Sequence, residues 1–142
     1  MQSTAKRIGW VGWNPSELWS QMVHATLSNH YQVAVFPEGP HGIDRLTQDT
    51  SPYDLLMISY GLRSIPPELM PQQGAQFELS DVLPELVRRA RALPPYKKSP
   101  ILAVSDYPSH EQACGQAGAT GFINPDQLTS HHVLEMIKRY LR

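Results

Sequence analysis

The sequence predicts an α/β fold: a five-stranded parallel sheet of order 2-1-3-4-5 with helices on both faces. Three observations carry this. Five short apolar runs have strand character, segments with helical spacing lie between them, and prolines punctuate the boundaries. The runs are Ile8 to Val11, Val33 to Phe36, Leu55 to Ser59, Ile101 to Ser105 and Gly121 to Ile123. Val-Ala-Val-Phe, Leu-Leu-Met-Ile and Ile-Leu-Ala-Val are continuously apolar rather than alternating, as in strands buried on both faces of a parallel sheet. The order βαβαβαβαβα then follows, with right-handed crossovers. It leaves a crevice at the carboxyl ends of strands one and three, where any site is expected.

The first helix is predicted to open at Asn14-Pro15-Ser16-Glu17, with Asn14 as N-cap, proline at the first helical position and a Glu three residues after the cap. Leu18, Met22 and Ala25 or Thr26 form its inward stripe, and Ser28-Asn29-His30 ends it. Gly42 to Asp49 is a short, weaker helix. Asp81 to Leu93 is a stronger one, with Val82, Leu86, Ala90 and Leu93 inward and Arg88, Arg89 and Arg91 projecting elsewhere. Pro84 falls in its first turn, where a missing N–H costs little. Ser109 to Gln116 makes a short helix ending at Gly118. Leu128 to Arg142 makes the last, with Val133, Met136 or Ile137, and Tyr140 or Leu141 inward. Eight of the thirteen prolines cluster, at Pro37 and Pro40, at Pro66, Pro67 and Pro71, and at Pro94, Pro95 and Pro100.

A length of 142 residues predicts one domain. With 12 Lys plus Arg against 13 Asp plus Glu, no global field draws the chain to nucleic acid or to a membrane surface. The polar N-terminus and a following apolar segment broken by Gly9, Gly12, Asn14 and Pro15 read as neither signal peptide nor membrane span, so the expected compartment is the cytoplasm. The single cysteine, Cys114, excludes an internal disulfide and reads as a small buried or half-buried filler.

Pro52 to Ser59, Asp81 to Arg91 and Ser99 to Ser105 look like the third strand, third helix and fourth strand of one family, and Ala117 to Pro125 like its fifth strand with flanking turn and proline. In their joint order and spacing these segments resemble the receiver domains of bacterial two-component response regulators, across nearly the whole chain. The resemblance implies a flavodoxin/CheY-like three-layer sandwich. A receiver accepts a phosphoryl group on an Asp ending the third strand, with two acidic residues after the first strand holding Mg²⁺ and a Lys after the fifth. Here Ser59 occupies the nucleophile position, Gly12 and Trp13 stand where the acids belong, and Phe122-Ile123-Asn124-Pro125 supplies Asn124 but no lysine. Only Ser105, at the fourth-strand Ser/Thr position, and Phe122, at the switch aromatic, match the signalling set.

The resemblance therefore implies a pseudo-receiver, non-enzymatic and independent of phosphorylation. It would act through a protein partner such as a sensor kinase, an output protein or a second copy, with no cofactor and no Mg²⁺. By the same resemblance Phe122, His131, Glu135, Lys138 and Arg139 are partner-binding candidates. Arg88 and Arg89, in a local basic region with Arg91, Lys97 and Lys98, read as a solvated face before a docking patch, and no nucleic-acid site is expected.

The six histidines show no ligand pair and read as surface or helix-end groups. Ser59 lacks a Gly-x-Ser-x-Gly context and an assignable base, and Gly9-Trp10-Val11-Gly12 lacks dinucleotide spacing. Asp54 reads as an edge cap and Asp106 as a solvated loop residue. Trp13 either fills the crevice with apolar volume or contributes to a partly exposed contact. The long segment Tyr60 to Leu79 reads as a lid or docking element. Two rivals stay open: a small-molecule or nucleotide sensor beneath that segment, and an enzyme with new chemistry at Ser59, Ser105 and Asp106.

Overall fold

A computed structural model describes residues 6–48, 52–59 and 82–141. The strands are β1 (Arg7–Val11), β2 (Gln32–Phe36), β3 (Leu55–Ser59), β4 (Ile101–Val104) and β5 (Gly121–Ile123). They pair in parallel in the order β2-β1-β3-β4-β5, as expected. The helices are α1 (Leu18–Ser28), α2 (Pro40–Leu46), α3 (Val82–Ala92), α4 (His110–Ala117) and α5 (Ser130–Tyr140), with a short 3-10 turn at Pro94–Tyr96 that the sequence reading did not foresee.

Successive strand residues face opposite sides of the sheet, so each uninterrupted apolar run feeds two cores. Ile8, Trp10, Leu55, Met57, Leu102 and Val104 pack with Val23 and Leu27 of α1 and Val133 and Ile137 of α5. Val11, Leu56, Ile58, Ile101 and Ala103 pack on the other side with α2, α3 and α4. The expectation of two buried faces fails for β2. This strand pairs only with β1, and Val35 stays 42% exposed, so its apolar run lies on an edge.

The start of α1 also differs from its sequence reading. Asn14 Oδ1 accepts from the Ser16 N–H and Ser16 Oγ at 3.0 Å each, closing a local turn. The helix begins only at Leu18, and its N-cap Glu17 makes no side-chain cap bond. The inward face is accordingly Trp19, Ser20, Val23 and Leu27, while Leu18 and Met22 are 71% and 50% exposed. Leu18-Met22 and Trp19-Val23-Leu27 share the same four-residue spacing, and the larger set takes the core.

In α3, Val82, Leu86 and Ala90 are buried as read, joined by Leu83 and Val87. Arg91 is not a free surface cation. It donates five hydrogen bonds, to the Gly118, Tyr96 and Ser99 carbonyls and to Thr120 Oγ1. It thus ties α3 to the end of α4, where Gly118 turns with φ +119° and the Ala119 N–H reaches Cys114 O at 2.9 Å. Burial lowers the Arg91 pKa from its ordinary value. Helix α5 starts at Ser130 behind a capping box in which Thr129 Oγ1 accepts from the His132 N–H at 3.3 Å.

Candidate functional site

The carboxyl ends of β1, β3, β4 and β5 deliver Gly12, Ser59, Ser105 and Asn124 to one edge of the sheet. Gly12 has φ +87° and donates its N–H to Phe36 O at 3.0 Å. A Cβ at Gly12 would sit 2.1 Å from the Ser59 carbonyl oxygen and 2.9 Å from its carbon. Real Cβ atoms do not approach backbone so closely, so the crossing of β1 and β3 admits no side chain here.

Ser59 Oγ accepts from Trp10 Nε1 at 2.9 Å. The indole is wholly buried, and the serine satisfies the one polar atom it carries into the core. Trp13 turns down onto α1, where its Nε1 donates to Ser20 O at 3.0 Å and its ring lies 4.9 Å from that of His24. Trp13 is not among the residues lining the crevice, so of its two sequence readings the one in which it fills that space fails, and the indole is partly exposed. Asn124 is buried, and its Oδ1 accepts from the Asp126 N–H at 2.9 Å, shaping the turn after β5.

Ser105 is nearly buried. Its Oγ accepts from the Tyr107 N–H at 3.1 Å and lies 2.7 Å from His110 Nδ1. His110 is the first residue of α4, a helix-end histidine as read, but it is buried rather than on the surface, at 6% exposure. The pair sits five residues apart across the β4–α4 connection and fixes that loop.

A cavity of about 510 Å³ opens over these strand ends, bordered by Gly12, Ser59 and Ser105 and by the side chains of Glu17, Glu38, Asp106 and Asp126. No Lys or Arg stands among its described lining residues. Glu17, Glu38 and Asp126 were not singled out from sequence as crevice residues. Each lies just after the end of a strand, in the loops that the 2-1-3-4-5 order turns toward one edge. Among the described residues, no group of three His, Cys, Asp or Glu is arranged to hold a metal ion.

The remaining candidates lie elsewhere. Phe122 is half-buried and borders a separate cavity of about 250 Å³ with Pro108, Glu111 and Met136. His131, Lys138 and Arg139 are exposed on α5, and Lys138 pairs with Glu135 at 3.6 Å. Arg88 and Arg89 are exposed on α3 and both pair with Glu85, Arg89 at 3.5 Å. Asp54 caps the opposite edge of the sheet, its Oδ2 accepting from the Arg7 N–H at 2.8 Å. Cys114 is buried on α4, and burial pushes its thiol pKa up to about 12. The segment Tyr60 to Leu79 lies outside the described residues.

No family model and no curated protein matches the chain. Solved structures do. The chain superimposes on the chemotaxis response regulator CheY4 of Vibrio cholerae with a TM-score of 0.70 at 21% identity, covering 96% of this chain and 99% of that one. A response regulator from Chloroflexus aurantiacus gives 0.71 at 18% identity over 97% and 98%. A CheY-like protein, TadZ, from Pseudomonas aeruginosa gives 0.66 at 19% over 95% and 98%. The fold is that of a CheY-like receiver.

Ser59 thus shares the crevice with Glu17, Glu38, Asp106 and Asp126, and no Lys or Arg is among the described lining residues. No helix among the described residues is long and apolar enough to cross a membrane.

Proposed function

We propose that this chain is a pseudo-receiver, a single cytoplasmic signalling domain that contacts protein partners without being phosphorylated and without catalysing a reaction. The observation that carries this reading is the packing of Gly12 against Ser59. The backbone crossing that excludes a side chain at Gly12 also excludes the carboxylate a receiver needs there, and the hydroxyl at Ser59 is engaged by Trp10.

The two rival functions find less support. A nucleotide would bring phosphates among four carboxylates, so a crevice lined in this way disfavours it. An enzymatic role for Ser105 would use a hydroxyl that already accepts the Tyr107 N–H and bonds His110, both within one loop. That arrangement anchors the loop. The basic residues on α3 and α5 are partly neutralised by Glu85 and Glu135, which argues against a nucleic-acid surface. The partner is then a sensor kinase, an output protein or a second copy.

The test is an amide NMR titration with Mg²⁺ and beryllofluoride. Unchanged spectra support the reading. Shifts converging on Ser59, Ser105 and Asp106 would show that an anion or metal site persists and would overturn it.

A further inference from the structure

The strand β2 ends the sheet, with β1 on one side and no described strand on the other. The Gln32 N–H donates to Lys6 O, and Phe36 O accepts from the Gly12 N–H, both at 3.0 Å. Backbone groups alternate in direction along a strand, so Gln32, Ala34 and Phe36 turn theirs toward β1. The N–H and C=O of Val33 and Val35 therefore lie on the open edge. The Val35 side chain is 42% exposed, and Gln32 is exposed as well.

Sheet edges ordinarily carry something that keeps other strands away, such as a lysine, a proline, an inward charge, a bulge or a very short strand. β2 carries none of these. Its sequence is Gln-Val-Ala-Val-Phe, without charge or proline, and it matches β1 residue for residue over all five positions, which excludes a bulge. Five residues is also an ordinary strand length.

The open groups are arranged to serve a second copy. Turned about a two-fold axis through Ala34, a second β2 runs antiparallel to the first. The axis sets Ala34 opposite its own counterpart, Val33 opposite Val35, and Gln32 opposite Phe36. Val33 and Val35 become hydrogen-bonded pairs, each donating an N–H and accepting one, so the open groups of both strands are satisfied at once. Their side chains share a face, being two residues apart, and form cross-strand β-branched pairs. With no charge on the strand, no like charges meet. One surface thus complements itself, which is the requirement of a two-fold dimer.

Resting on the pseudo-receiver reading, we propose that the partner is a second copy of this chain, joined edge to edge through β2 so that one sheet runs across both copies. This interface lies at the opposite end of the sheet from β5 and Phe122. Five strand residues per copy make a small contact, so a Kd of about 1 to 100 µM is expected.

Sedimentation of the whole chain from about 1 µM to about 1 mM should show a monomer passing to a dimer. Over the same range amide exchange at Val33 and Val35 should slow, while Ala34 and Phe36, bonded to β1 throughout, stay protected. Val35→Lys should remain monomeric, with circular dichroism and urea midpoint close to the parent chain because the side chain is exposed. Cysteine variants read the register. Opposed residues of a non-hydrogen-bonded pair have Cα atoms about 4.5 Å apart, within disulfide reach, so mild oxidation should link Ala34→Cys chains. Val35→Cys meets its own counterpart only diagonally, at about 7 to 8 Å, and should link far more slowly. Cys114 is buried and does not compete.

A monomer throughout that range, a dimer that Val35→Lys leaves intact, exchange at Val33 and Val35 that ignores concentration, or equal linking of the two cysteine variants would overturn the proposal. Should Val35→Lys unfold, the exchange pattern of the parent chain and the cysteine pair decide. Adding Mg²⁺ and beryllofluoride to the same samples separates the two readings. A β2-dependent dimer whose affinity changes with beryllofluoride keeps the interface and sinks phosphorylation independence. A monomer silent toward beryllofluoride does the reverse.

Discussion

Replacing Gly12 with alanine tests whether the acidic position of a receiver is sterically closed in this chain. Two costs add. A residue with a Cβ at φ +87° sits in the left-handed region, at roughly 1 kcal/mol relative to glycine. The new methyl would also stand 2.1 Å from the Ser59 carbonyl oxygen, and that obstacle is strand backbone paired with β4 rather than a flexible side-chain end. Forcing atoms into packed structure costs about 1 to 3 kcal/mol, so the total is about 2 to 4 kcal/mol. Urea denaturation followed by tryptophan fluorescence reads this as a midpoint lowered by roughly 1 to 2 M at the usual slope. Gly12→Asp should cost at least as much, because its larger side chain starts from the same Cβ. Gly115 is the internal control. It lies exposed within α4 with nothing within 4 Å of an added Cβ, so Gly115→Ala should stabilise by about 0.5 to 1 kcal/mol. A Gly12→Ala midpoint equal to that of the parent chain would refute the steric argument, and with it the strongest support for a lost acidic pair.

Ser59→Ala should destabilise by about 1 to 3 kcal/mol, because it strands the buried Trp10 N–H; a merely solvated serine would leave the urea midpoint unmoved. Arg91→Lys keeps the charge but cannot reproduce a fork of bonds to three carbonyls, so thermal melting should show a loss of about 2 kcal/mol or more, against less than about 0.5 for Arg88→Lys on the exposed side of the same helix. Cys114, with its thiol pKa raised to about 12, should stay unreactive toward a disulfide reagent at pH 8 until urea unfolds the chain. The folded chain keeps that proton to a higher pH than the unfolded chain does. This contribution to stability is therefore full below about pH 9 and declines between there and about pH 12, visible as a falling urea midpoint that Cys114→Ser lessens.

The strands and most helices were legible because burial on both faces leaves an uninterrupted apolar run, and β3 and β4 bear that out. The same signal misled at β2, since an apolar run does not reveal whether a strand has one neighbour or two. It misled again on α1, where local hydrogen bonding at Asn14 competed with a helix start and two apolar stripes shared one spacing. Arg91 looked like its neighbours Arg88 and Arg89 because its carbonyl partners, in the loop after α3 and at Gly118, are brought to its guanidinium only by the folding of loops.

By itself the sequence determined the sheet, its order and the residue types at the strand ends, because hydrophobic periodicity and chain connectivity are local properties. Only the tertiary structure decided that Gly12 is closed by the Ser59 backbone, that Ser105 and His110 are hydrogen-bonded, and that Glu17, Glu38, Asp106 and Asp126 meet around one cavity. Those facts depend on angstrom distances and loop geometry, and the first and last of them join segments far apart along the chain. Spacing along a sequence carries no record of such distances.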